Sequence, residues 1–262
     1  QADPVTKKRT AAINEPAQRE YFSLVDDVAT LLLKNSPGVD INGKSYTDLE
    51  EHFVWNLDEE IIIASLDGIK IYGAAAKHRH LRNRHDSRES IGIIRSGSAA
   101  GALGPNVYIL DCRYRKKGHS DKWLVEEAGN PPGSFIYPNN IGYLDTESWE
   151  EAAPRIARAM RSAPVVCDHP TWWIRVHLDG LQVHANSVKA NMTFFSLRIW
   201  IIIEWPHSSH VNQAFDDTPA HTSKSTMRDV LPEVRDSLGM VTNRALDQWY
   251  VARSGRARAG DW

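Results

Sequence analysis

Apolar and polar residues alternate most cleanly in two stretches that resemble each other, Ile61 to Lys77 (IIIASLDGIKIYGAAAK) and Trp173 to Lys189 (WIRVHLDGLQVHANSVK). Both carry Leu-Asp-Gly. Asp-Gly between alternating residues is a strong hairpin signal, because a type I′ turn needs positive φ at both central positions. With Asp67-Gly68 as the loop, Leu66 faces Ile69, Ala64 faces Ile71 and Ile62 faces Gly73. With Asp179-Gly180 as the loop, Leu178 faces Leu181, Val176 faces Val183 and Ile174 faces Ala185. Each stretch predicts an antiparallel hairpin with one oily and one wet side. Five of the seventeen positions are identical. The repeat suggests two related halves, although two ordinary hairpins can look this alike.

The pattern around the hairpins fills in the rest. Phe22, Val25, Val28, Leu32 and Leu33 recur at helical spacing, and Ser36-Pro37-Gly38 ends that helix. Strands are predicted at Phe53 to Leu57, Ser90 to Ser96, Val107 to Arg115 and Ser134 to Tyr137. Ser148 and Glu151 match a capping box, and Trp149, Ala153, Ile156 and Met160 share one side of the helix that follows. Pro154 breaks a helical hydrogen bond unless it lies in the first turn, so the helix is expected to start near Ala153. Thr193 to Trp205 is rich in β-branched and aromatic residues and predicts one long buried strand. A last helical stripe runs through Leu231, Val234, Leu238, Val241, Ala245 and Trp249. The expected fold is α+β, with mainly antiparallel sheets and packing helices. The organisation expected is a loose arm at 1–18, a first half at 19–163, a second half at 164–252 and a basic tail at 253–262.

Composition narrows the function less than the fold. The 262 residues are 42% hydrophobic with a net charge of −2, which gives no bulk electrostatic pull toward nucleic acid and leaves room for a local basic patch. Cys112 and Cys167 are too few for a disulfide framework and do not have zinc spacing; they form one bridge or none. No apolar run reaches 18 residues, so no membrane span is expected, and no signal peptide is evident. Asn191-Met192-Thr193 is a glycosylation triplet of a kind that chance often produces. No GxSxG, P-loop, HExxH or helix-opening GxGxxG motif is present. The pattern calls for no cofactor and no metal ion.

The order from about Glu20 to Ser162 resembles the pleckstrin-homology superfold and, within it, the phosphotyrosine-binding group. The matching pieces are VDDVATLLL, EEIIIASLDGIKIYG, SIGIIR, NVYILDCRY and WEEAAPRIARAM. The resemblance implies a binding module in which an extended segment adds to the edge of strand Ser90–Ser96 and packs on the closing helix. Ile91, Ile93, Arg95, Ile156 and Met160 would line that groove. More faintly, IGYLDTESWEE and the glutamate of IIIEW resemble ribosome-inactivating N-glycosidases. That family's arginine, one helical turn after the glutamate, is replaced here by His207 behind Pro206.

The most conspicuous polar cluster is KHRHLRNRHD, with Lys77, Arg79, Arg82 and Arg84; Arg115, Lys116 and Lys117 form a second basic group. Arginine's planar fork suits phosphate, so these residues with Arg95 are the expected ligand-binding set. His78, His80 and His85-Asp86, and likewise His207 and His210, lack any fixed metal-ligand spacing. The expected function is therefore a module that recognises a protein segment or a phosphate-bearing ligand, with nucleic acid a further candidate partner. The alternative is an enzyme acting on nucleic acid, either a glycosidase or a nuclease. For a nuclease, Asp111, Glu126 and Glu127 would hold Mg²⁺ near Lys116, Lys117 and Lys122. No catalytic residue is singled out.

Overall fold

The structure is a computed structural model that describes residues 15–40, 42–63, 90–111 and 130–204. Helix α1 (Glu15–Lys34) leads through a 3-10 turn (Thr47–Leu49) and the short α2 (Glu50–Phe53) into strand β1 (Val54–Ile63). Strands β2 (Ser90–Ser98), β3 (Val107–Asp111) and β4 (Phe135–Asn139) follow, then helix α3 (Thr146–Arg161). Strand β5 (Ile174–Leu178), helices α4 (Gln182–Asn186) and α5 (Val188–Ser196), and strand β6 (Ile199–Ile203) complete the order.

All six strands belong to one sheet, in the order β4-β3-β2-β1-β5-β6. Strand β2 runs antiparallel to both β1 and β3, and the β1–β2 ladder is the longest. The β1–β5, β5–β6 and β3–β4 ladders are parallel. The α+β class and the packing helices are as the pattern predicts. The β1–β2–β3 part of the sheet is antiparallel as expected; three parallel ladders flank it, and one of them, β1–β5, joins strands of 19–163 and 164–252 into the one sheet.

The second hairpin gives way to longer-range pairing. Of the first, Ile62 pairs with Ile91 of β2, while Asp67-Gly68 and Gly73 lie outside the described residues. After Asp179-Gly180 the chain enters α4, so Val183 and Ala185 are helical instead of facing Val176 and Ile174. Strand β5 takes its partners from β1 and β6. The predicted strand from Thr193 to Trp205 is cut in two: Thr193–Ser196 finishes α5 and only Ile199–Ile203 is strand. A turn with Arg198 at φ 55° separates them.

Helix α3 starts at Thr146, earlier than expected. Its N-cap is Asp145, whose carboxylate accepts from the Ser148 backbone N–H at 2.8 Å, while Ser148 Oγ accepts from the Asp145 N–H at 2.9 Å. Pro154 is thus well inside the helix. The buried stripe Trp149, Ala153, Ile156 and Met160 is as predicted and lies against the sheet.

The two sheet faces are covered differently. Trp55, Leu57, Ile94, Val107, Ile109, Val176 and Leu178 join α3 and α5 in one large core. Helix α1 packs on the other face through Tyr21, Val28 and Leu32 against Ile202. Arg161, in the last turn of α3, pins the chain that enters β5 and β6. It donates to the carbonyls of Trp172 at 2.7 Å, Leu197 at 3.0 Å and Arg198 at 3.1 Å. Among the described residues no helix is long and apolar enough to cross a membrane.

Candidate active site

The parallel pairing of β1 with β5 ends at Leu57↔Leu178, and that of β5 with β6 ends at Leu178↔Ile203. One position further along each of these neighbouring strands stands an acid: Asp58, Asp179 and Glu204. Adjacent strands lie about 5 Å apart, so the sheet sets Asp179 between the other two. Asp58 is 8% and Glu204 1% exposed, whereas the Asp179 side chain keeps 25% of its surface open. Burying carboxylates costs several kcal/mol unless each is hydrogen-bonded or paired, so this row needs a compensating role.

Each acid is held. Asp58 Oδ1 accepts from the Glu59 backbone N–H at 2.8 Å. The Glu204 N–H donates to the Leu178 carbonyl at 2.9 Å, which fixes the backbone there. Asp179 Oδ1 lies 2.8 Å from His184 Nδ1 and accepts from the Leu181 N–H at 3.3 Å. Alternation puts Asp58 and Glu60 on the α1 face with Arg95, and Arg95 Nη1 lies 3.1 Å from Glu60 Oε2.

Glu59 faces the other way. Its Oε1 accepts from the Leu144 N–H at 2.7 Å, tying β1 to the loop before α3. Burial pushes its carboxyl pKa above the ordinary value, the hydrogen bond from Leu144 and the nearby His184 oppose that, and Asp179 adds to it. Gly92 makes room for this contact: a Cβ there would sit 3.2 Å from Glu59 Oε1 and from Tyr143 Cα.

Carboxylate oxygens are the hard donors that Mg²⁺ prefers, and proteins often hold Mg²⁺ by one or two carboxylates plus substrate phosphate oxygens. Asp58 and Asp179, one position past the last β1–β5 rung, are carboxylates of that kind on neighbouring strands. Among the described residues no group of three or more His, Cys, Asp or Glu could hold a metal.

Most of the predicted ligand-binding set (Lys77, Arg79, Arg82, Arg84, Arg115, Lys116 and Lys117) lies outside the described residues, as do Glu126, Glu127, His207 and His210. Arg95 is described, and it is 3% exposed inside the sheet with Glu60 as its partner. Strand β2 is interior, flanked by β1 and β3, so no segment can add to its edge. Ile93, Ile156 and Met160 are fully buried core residues. Cys167 is a free, exposed thiol.

No family model matches the chain, and no curated protein matches it. Similar solved structures are complexes of the Mos1 transposase. The mariner paired-end complex with Mn aligns with a TM-score of 0.44 and 9% identity, over 98% of this chain and 62% of that one. The strand transfer complex aligns with 0.41 and 10% identity, over 99% and 64%. The pre-cleavage transpososome aligns with 0.41 and 8% identity, over 82% and 56%. The chain thus spans less than two thirds of the length of these proteins.

One mixed sheet, with β2 interior and β1 paired in parallel to β5, is not the strand-edge arrangement expected from the pleckstrin-homology and phosphotyrosine-binding resemblance, which is corrected accordingly. The main functional expectation, a module for a protein segment or a phosphate-bearing ligand, falls with it, since Arg95 is buried on Glu60. Its groove was to run along a strand that is interior to the sheet. Sequence reasoning missed Asp58, because the expected strand stopped at Leu57 and the expected hairpin began at Ile61, whereas β1 runs unbroken through both. It read Asp179 as a turn residue. The available clue was three consecutive acids, Asp58-Glu59-Glu60, inside an otherwise oily strand.

Proposed function

We propose that this chain is an enzyme acting on nucleic acid, cleaving or transferring phosphodiester bonds with a divalent cation held by Asp58 and Asp179. The observation that carries this reading is the register. The last β1–β5 rung, Leu57↔Leu178, brings the two acids side by side at the end of parallel pairing. In open sheets ligands bind beyond the carboxyl ends of parallel strands, where the chain changes direction around the central strand. The strand arrangement supports the reading. A central β1 has antiparallel β2 and β3 on one side and parallel β5 and β6 on the other, as in the ribonuclease H-like nuclease fold.

When bound, such a cation polarises a phosphoryl oxygen and activates the attacking water or hydroxyl. The chain's part is positional. Asp58 is fixed on the stiff central strand, and Asp179 sits where β5 ends and the chain turns into α4. Glu59 anchors the loop before α3 to the same strand.

The test uses the full chain with duplex DNA and Mg²⁺ or Mn²⁺. Metal-dependent nicking is expected, and Asp58→Asn or Asp179→Asn should each lower it on the order of 10³-fold, because the lost charge stabilisation is several kcal/mol. Circular dichroism should show both variants folded. Cleavage that survives both substitutions, or that ignores chelation, would overturn the reading. The next acids after Glu204, Asp216 and Asp217, lie outside the described residues; exchanging each for Asn asks whether a further oxygen ligand comes from there.

A further inference from the structure

We propose that His184 is a positioning residue for Asp179, holding Oδ1 so that the other carboxylate oxygen is presented to a divalent cation. This rests on the reading of Asp179 as a cation ligand.

The local chain is built for that contact. After β5, Asp179 Oδ1 accepts from the Leu181 N–H, and the Leu181 carbonyl then accepts from the His184 N–H at 3.0 Å. This tight turn starts α4 and brings His184 back onto the acid five residues before it. The imidazole has no solvent exposure. Its centroid lies 4.7 Å from the Trp149 ring, and Trp149 stacks in turn on Phe194 at 5.9 Å. Those aromatic walls belong to α3 and α5, so the ring orientation is set by the main core and not by the loop.

Hydrogen-bond geometry sets the tautomer. Nδ1 is 2.8 Å from Asp179 Oδ1 and 3.4 Å from the Asp179 carbonyl oxygen, whereas Nε2 is buried with no hydrogen-bond partner. The Nδ1–H form therefore donates to the acid. Both contacts to the Asp179 carboxylate fall on Oδ1, and a quarter of the side chain stays open. A carboxylate oriented through one oxygen has less freedom to lose when the other binds a cation. Partners of this kind commonly change metal affinity by about 10- to 100-fold.

The experiment measures Mn²⁺ affinity of the full chain by calorimetry and electron paramagnetic resonance, without any cleavage assay. His184→Leu should weaken binding by about 10- to 100-fold. If that variant fails to fold, the paired amides decide the matter. His184→Asn keeps an N–H near the Nδ1 position and should bind Mn²⁺ close to wild type; His184→Gln places its N–H nearer Nε2 and should bind about tenfold more weakly. Equal affinity in the Asn and Gln variants, or wild-type affinity in folded His184→Leu, overturns the proposal. Asp179→Asn separates the two claims. If it leaves Mn²⁺ binding intact, the reading of Asp179 as a ligand fails. If it abolishes binding while the His184 variants do not differ, only the positioning role fails.

Discussion

On one face of the sheet Trp55, Leu57, Ile94, Val176 and Leu178 pack under α3 and α5 in a continuous apolar core. On the other, the same strands present Asn56, Asp58, Glu60, Arg95, Arg175 and His177, with α1 covering only the β5–β6 end. Leu57 and Asp58 are neighbours in the chain, yet one stabilises the fold and the other carries the candidate chemistry. A strand alternates its side chains across the sheet, so one backbone can serve both demands without either compromising the other. The first face is built of apolar side chains; the second is filled with charges that must be paired or put to use.

The sharpest break in this comparison is the exchange of Asp58 for Asn. It should remove nearly all metal-dependent nicking while leaving the unfolding midpoint close to wild type, because the amide keeps the volume and can still accept from the Glu59 N–H. Next in size is the Arg95–Glu60 pair, whose side chains are 3% and 2% exposed. Arg95→Met should cost about 3–5 kcal/mol in a urea titration, because it leaves the Glu60 charge buried without its partner. Arg95→Met with Glu60→Leu should recover most of that loss. If the double variant is no better than the single, the polar face is not balanced by this pair. Leu57→Ala comes third, at about 2–5 kcal/mol from lost burial and the cavity left behind. Per mole of folded protein it should not reduce nicking as Asp58→Asn does.

How much of this was readable in the sequence follows the range of the interactions. Helix α1 and the buried stripe of α3 were legible because their apolar residues recur within one element, at the spacing of that element's own turns. The sheet was legible as α+β. Its topology was not, because Leu57↔Leu178 joins residues 121 apart, and no local pattern encodes such a partner. Asp-Gly after an alternating strand looks the same whether a second strand or a helix follows. Val183 and Ala185 suited the oily face of a hairpin and also suit the tight turn that returns His184 to Asp179. The acids were misjudged for a related reason. Asp58 has meaning only beside Asp179, and the two meet only once β1 and β5 pair.

The smallest effect expected belongs to the polar face where α1 covers it. His177 Nδ1 lies 3.2 Å from the Tyr21 hydroxyl of α1. Burial, helped by the Arg175 charge, depresses the His177 pKa to about 4. Burial and then Glu204 raise that of Tyr21 above its ordinary range, so the hydroxyl stays protonated and can donate to the neutral ring. The linkage has a definite sign. His177 stays neutral in the folded chain down to about pH 4, while in the unfolded chain it protonates below about 6.5. Its contribution is thus present above about pH 6.5 and lost as the pH falls toward 4. Between pH 7.5 and pH 5 the loss should be on the order of 2 kcal/mol. Urea titrations at those two pH values measure it directly. His177→Gln has no proton to take up, so the difference between the two pH values should shrink by about that amount, even if the variant is less stable at both. An unchanged difference would mean that α1 shields this ring from water less than its contact with Tyr21 implies. The polar face would then be wet at its covered end, and its contrast with the apolar face would hold in composition but not in burial.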